Sequence, residues 1–159
     1  MLTITVDPGW NGAVALFENN KLLYTEKCPD NRSELKMADI IRHMVNKSHI
    51  IYGHNIEAYI EKVWSRPYER GAFSFGKNFG IWLGILASNN LKVHQITPQA
   101  WQKVVGVRIP KEYSKRKKYF KRRAQKWAGK KHKVTLADAD AICLGMYVIE
   151  GRKDDAKMD

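Results

Sequence analysis

The chain changes the period of its apolar positions several times, and each change marks an element. Leu2 to Val6 is apolar and β-branched, as a strand requires. Asp7 ends it, and Pro8-Gly9-Trp10-Asn11-Gly12 is a turn. Ala13 to Phe17 reads as a second strand, Asn19-Asn20 as a turn and Leu22 to Thr25 as a third strand. Three strands joined so tightly predict an antiparallel meander. Ser33 then stands where a helix to about Lys47 needs a cap. Its apolar positions Met37, Ile40, Ile41, Met44 and Val45 recur at the spacing of one helical face. Ile56 to Val63 alternates again, with Ile56, Ala58 and Ile60 on one side and Glu57, Tyr59 and Glu61 on the other. Ser65 to Gly71 is a polar loop.

Phe73 to Ser88 reads as a helix in which Gly76, Gly80, Gly84 and Ser88 recur every four residues. Each mid-helix glycine costs about 0.5–1 kcal/mol relative to alanine. Three in register call for the close approach of another backbone. Leu91 to Ile96 is a strand, and Thr97-Pro98 opens a short helix through Val104. A further segment is helical from Tyr113, and Thr135 caps a last helix over Leu136 to Ile149. The expected fold is a single α/β domain over residues 1–159, a mixed five-stranded sheet whose first three strands are antiparallel, flanked by helices.

Charge changes this picture. The 159 residues carry 28 Lys+Arg against 16 Asp+Glu, a formal net charge of +12. Residues 111–133 hold 12 of the basic groups and one acid, Glu112. The rest of the chain is close to neutral, so a near-neutral domain carries one strongly basic segment. Such a segment meets a polyanion, most often nucleic acid. Like charges at i, i+4, such as Lys117 and Lys121, also destabilise a helix that has no anionic partner. The two cysteines, Cys28 and Cys143, have neither zinc-site spacing nor the density of a disulfide scaffold. No signal peptide or membrane span is read, so a cytoplasmic setting is expected.

Asp7 lies where the first strand meets a Gly-rich turn and is either a turn initiator or a carboxylate at the sheet's rim. Glu61 interrupts an apolar strand, where a lone carboxylate is expensive to bury. Asp138 and Asp140 fall in the first turn of the last helix, where acids favour the helix dipole. Thr135 to Asp138 also matches a capping box with Asp in place of Glu. Taken together, three elements bring carboxylates toward one point, and clustered carboxylates need a divalent cation. Hard oxygen donors suit Mg²⁺ or Mn²⁺, not zinc. A basic segment beside such a site is what a nuclease needs, with cations to bind the backbone and a metal to help cut it.

Four segments carry a family resemblance: VDPGWNG, AYIEKVW, WQKVVGV and ADAICLG. In this order and spacing they resemble the RuvC-type Holliday junction resolvases of the RNase H-like fold. FSFGKNFGIWLGILA followed by VHQITPQAW is similar to the phage and chloroplast members. The resemblance implies a structure-selective endonuclease that resolves four-way DNA junctions by paired nicks, leaving 5′-phosphate and 3′-hydroxyl ends. It implies Asp7, Glu61 and Asp140 as catalytic metal ligands, for Mg²⁺ or Mn²⁺, two ions per site. Where the family has a further acid or His, this chain has Ala137. Asp138 is therefore read either as a fourth ligand or as a cap, because residues i and i+2 of a helix point about 200° apart. The resemblance places Trp64 near the junction centre, where it could stack on a base or instead be a half-buried core residue. It places the glycine-striped helix at a homodimer interface. Lys115, Lys117, Lys118, Arg122 and Arg123 are the expected DNA contacts. Rival readings are a non-catalytic nucleic-acid-binding protein on this fold, and a related nuclease acting on flaps or RNA–DNA hybrids.

Overall fold

The structure, a computed structural model, describes every residue except 32, 53–55, 63–70 and 156–159, with the backbone alone at 47–52 and 152–155. Five strands, β1 (Leu2–Val6), β2 (Ala13–Glu18), β3 (Lys21–Lys27), β4 (Ile56–Glu61) and β5 (Lys92–Ile96), form one sheet in the order β3-β2-β1-β4-β5. β1, β2 and β3 pair antiparallel, whereas β4 runs parallel to β1 and to β5. Asn19 and Asn20 both take positive φ, 45° and 67°, so this Asn pair turns the chain between β2 and β3.

The two faces of the sheet bury different helices. Leu2, Ile4 and Val6 of β1, with Ala58 and Ile60 of β4, pack under α1 (Glu34–Tyr52) and α2 (Ala72–Ser88). Among the described side chains of α1, Met37, Ile41, Met44 and Val45 are buried and Ile40 is half-buried, on the face its period predicts. Ser33 caps it, its Oγ accepting from Lys36 N at 3.3 Å. The opposite face, with Ala13, Ala15 and Phe17, lies under α3 (Pro98–Val105), α4 (Tyr113–Ala128) and α5 (Asp138–Asp155). α5 crosses closest to β2, where a Cβ on Gly145 would lie 2.2 Å from the Phe17 ring. No helix among the described residues is long and apolar enough to cross a membrane.

One expectation needs correcting. The last helix begins at Asp138 rather than Leu136 and runs on to Asp155. Leu136 and Ala137 form a turn, held by the exchange of hydrogen bonds between Thr135 and Asp138. Of the two readings of the α2 glycine stripe, packing within the chain finds no partner among the described residues. A Cβ built on Gly76, Gly80 or Gly84 finds no atom within 4 Å among the described residues. The face α2 buries is the other one, carrying Asn78, Trp82 and Leu86.

The two kinds of glycine should respond oppositely to a methyl group. Gly145→Ala should cost about 1–3 kcal/mol by overpacking against Phe17. Gly80→Ala should gain about 0.5–1 kcal/mol of helix stability in the single chain. Urea unfolding at high dilution reads both, and a destabilised Gly80→Ala would mean that α2 does pack on its own chain.

Candidate metal and nucleic-acid site

The register of β1 and β4 sets the first pair of carboxylates. Val6 lies beside Ile60, and the next residue on each strand is an acid, Asp7 and Glu61. Side chains alternate along a strand, so both acids belong to the face opposite Val6 and Ile60, the face under α3, α4 and α5. Asp7 is held from several directions. Its amide donates to Ala13 O at 3.0 Å, and Gly9 N donates to its Oδ1 at 2.9 Å. Asn78 of α2 reaches under the turn, Nδ2 donating to Pro8 O at 2.6 Å. A Cβ on Gly12 would stand 2.1 Å from the Asp7 carbonyl oxygen, so only glycine fits there.

The third acid arrives on α5. Thr5 Oγ1 donates to Ala141 O at 2.7 Å across the buried interface, pinning the first turn of α5 to β1. Asp140, the preceding residue, thereby comes within electrostatic reach of both strand acids. Lys117 of α4 points inward to meet them. Its Nζ donates to Asp140 Oδ2 at 2.5 Å and stands 3.9 Å from Asp7 Oδ2. The other oxygen, Asp140 Oδ1, is buried with no hydrogen-bond partner among the described residues.

These neighbours shift the protons. Burial, then the charge of Asp140, push the Asp7 carboxyl up to about 6, against the pull of Lys117 and the Gly9 amide. Burial, then Asp7 and Asp140, push Glu61 up to about 8, with Lys117 and the Trp101 indole drawing it back. Burial works against the charged form of Lys117, but Asp140 and Asp7 outweigh it and hold the ammonium above its ordinary range.

The set fits a hard divalent cation. All the donors are carboxylate oxygens, and the orphaned Asp140 Oδ1 is the atom that most lacks a cation. Among the described residues no three acidic, His or Cys side chains already stand in a coordinating arrangement. Lys117 lies between Asp7 and Asp140 instead.

Asp138 does not join this group. Its Oδ2 accepts from Thr135 N at 3.2 Å and its Oδ1 from Thr135 Oγ1 at 2.6 Å. Thr135 Oγ1 in turn accepts from Asp138 N at 3.3 Å, which completes a capping box. The Asp138 side chain lines a hollow against Leu22 to Thr25 of β3.

The expected DNA contacts also divide. Lys115, Lys118 and Arg122 share the outer flank of α4 and, with Lys121, which was not among the expected contacts, line an open hollow of about 630 Å³ beside Pro110 and Gln125. Lys115 also pairs with Glu112 at 2.7 Å. Lys117 is turned to the carboxylates, and Arg123 Nε donates to Val105 O at 2.9 Å, tying α4 to α3. Phe120 and Ala124 bury the inner face of α4. Trp64, in the loop after Glu61, lies outside the described residues.

No family model matches the sequence, and no curated protein matches it. Solved structures do match. The Thermus thermophilus RuvC in complex with a Holliday junction substrate superposes with a TM-score of 0.65, at 15% identity, over 96% of each chain. A second structure of Thermus thermophilus RuvC gives a TM-score of 0.62, again at 15% identity, over 97% of each chain. A likeness at this identity is one of fold, and the chain has the RuvC-type, RNase H-like fold that its motifs imply.

The raised carboxylates make stability depend on pH. The folded chain keeps protons on Asp7 and Glu61 that the unfolded chain releases above its ordinary carboxylate range. Their contribution therefore weakens as pH climbs from that range through about 6 and about 8. In metal-free buffer Glu61→Gln should melt above wild type at pH 8 and lose that advantage at pH 5. A variant that melts below wild type at both would show that Glu61 is not held charged against burial and repulsion.

Proposed function

We propose that this chain is a metal-dependent, structure-selective endonuclease that resolves four-way DNA junctions by paired symmetric nicks. One observation carries the reading: Asp7, Glu61 and Asp140 gather from three elements beside a helix whose outer flank is a row of cations. A repelling carboxylate cluster is costly to keep for structure alone. Beside a polycationic flank it makes a site for a phosphodiester. The fold neighbour described in complex with a Holliday junction substrate supports four-way DNA as the target.

In this reading Asp7, Glu61 and Asp140 hold Mg²⁺ or Mn²⁺, two ions per site. A divalent cation there polarises a phosphodiester and acidifies bound water. The chain's own residues do the rest. The Asp7 turn and the Thr5–Ala141 bond fix where the carboxylates stand. Lys115, Lys118, Lys121 and Arg122 bind backbone phosphates and position the strand without reading sequence. Asp138 serves as the cap of α5.

A four-way junction has two-fold symmetry, and two paired nicks need two sites, which a C2 dimer supplies. The bare Gly76-Gly80-Gly84 face of α2, with Phe73 86% exposed at its start, is the surface we assign to the second copy. A non-catalytic binding protein is disfavoured by the buried acids, which DNA binding does not need. Cutting compared on junction, flap and RNA–DNA hybrid separates the remaining nuclease readings.

Asp7→Asn and Asp140→Asn should each bind a synthetic junction and lose cleavage by more than about 100-fold, the upper range for disturbing even the residues behind a metal's ligands. Asp138→Asn should still cut, losing about 1 kcal/mol of stability as a weakened cap. An active Asp140→Asn, or an inactive but folded Asp138→Asn, contradicts the assignment.

Replacing Lys115, Lys118, Lys121 and Arg122 together by Ala should weaken junction and linear duplex alike. The slope of log K against log[salt] should flatten by about 3 to 4 per subunit, at roughly 0.9 per phosphate contact. Fluorescence anisotropy over a salt series measures it. An unchanged slope would place the DNA path elsewhere.

A further inference from the structure

Lys117 is unlike the other cations of α4. Its side chain is 23% exposed, against 70% for Lys115 two residues before it. Drawing an ammonium this far out of water costs free energy that only close anions repay. Those anions are Asp140, at 2.5 Å, and Asp7, at 3.9 Å. Both are residues assigned above as metal ligands.

A divalent cation such as Mg²⁺ takes its oxygens at about 2.0–2.1 Å. An ammonium already hydrogen-bonded to Asp140 Oδ2 blocks that approach, and a +1 and a +2 charge a few ångströms apart repel each other strongly in a water-poor site. The two cations therefore compete for the same carboxylates. One ammonium also cannot satisfy the cluster, because Asp140 Oδ1 stays without a partner among the described residues.

We propose that Lys117 is the resident counter-ion of the metal-free site, and that a divalent cation binds by displacing it. This rests on the metal-dependent reading above. The displaced ammonium sits on a flexible stem of a helix whose neighbouring cations face the nucleic acid. Metal loading thus releases one more positive charge at the mouth of the site. By linkage, whatever holds Lys117 outside favours metal binding to the same degree. Lys117 is a positioning residue in this scheme: it guards the carboxylates before the metal arrives.

Two measurements on the full chain without DNA test this. Isothermal titration with Mn²⁺ compares wild type, Lys117→Met and Lys117→Arg. Lys117→Met keeps the stem but removes the competitor, so its Mn²⁺ Kd should fall by roughly 5- to 150-fold, the usual range for coupled binding. Its metal-free melting temperature should also drop and recover on Mn²⁺ addition. Lys117→Arg should stay near wild type in both. The second measurement needs no variant: lysine acetylation of wild type, mapped by mass spectrometry, should be slow at Lys117 without metal and faster with Mn²⁺. If Lys117→Met binds Mn²⁺ no tighter than a wild type that does bind it, or if Lys117 labelling ignores Mn²⁺, the displacement is wrong while the metal site stands. If wild type takes up no Mn²⁺ at all, the metal-dependent reading falls and displacement falls with it.

Discussion

Repulsion among Asp7, Glu61 and Asp140 is the constraint around which the rest of this structure is arranged. Three carboxylates close together are unfavourable, and the raised proton affinities of Asp7 and Glu61 record first their burial and then this repulsion. Lys117 relieves part of it and leaves one oxygen of Asp140 without a partner among the described residues. A cluster so costly has to be held by the fold. The parallel pairing of β1 with β4 fixes Asp7 and Glu61 at equivalent ends of neighbouring strands. The Thr5–Ala141 hydrogen bond fixes the helix that carries Asp140.

The same arrangement separates the work of the two sheet faces. Among the described residues α1 and α2 cover one face with a mainly apolar contact, and Asn78 turns down to hold the Pro8 carbonyl. α3, α4 and α5 cover the other, and there the acids and Lys117 lie at the rim of the core. α4 serves both purposes. Phe120 and Ala124 anchor it, Arg123 ties it to α3, and the cations on its outer flank stay in water.

Much of this was legible in the sequence because the signals are local. The Asn19-Asn20 turn, the Ser33 and Thr97 caps and the period of α1 each depend on residues a few positions apart, and each stands where it was expected. The acids could be nominated singly, since a carboxylate at a strand end or within an apolar strand is conspicuous. Their meeting could not be derived locally, because it depends on the parallel register and on a Thr5–Ala141 bond 136 residues apart in sequence. The basic run read as one surface because a charge pattern does not reveal which side of a helix docks. Once Phe120 and Ala124 fix the phase, Lys117 and Arg123 fall inward and Lys115, Lys118 and Arg122 outward. Asp138 and Asp140 share the first turn of α5 and part because residues two apart on a helix point about 200° from each other, one toward Thr135 and the other toward Lys117.

The central claim is that these three acids form one divalent-cation site. Anomalous diffraction from crystals of the wild-type chain grown with Mn²⁺ at pH 8 tests it most directly. The account predicts manganese density bounded by Asp7, Glu61 and Asp140, with the Lys117 ammonium moved off Asp140. Manganese bound elsewhere, or a Lys117–Asp140 pair that survives saturating Mn²⁺ with no density between the acids, would contradict it.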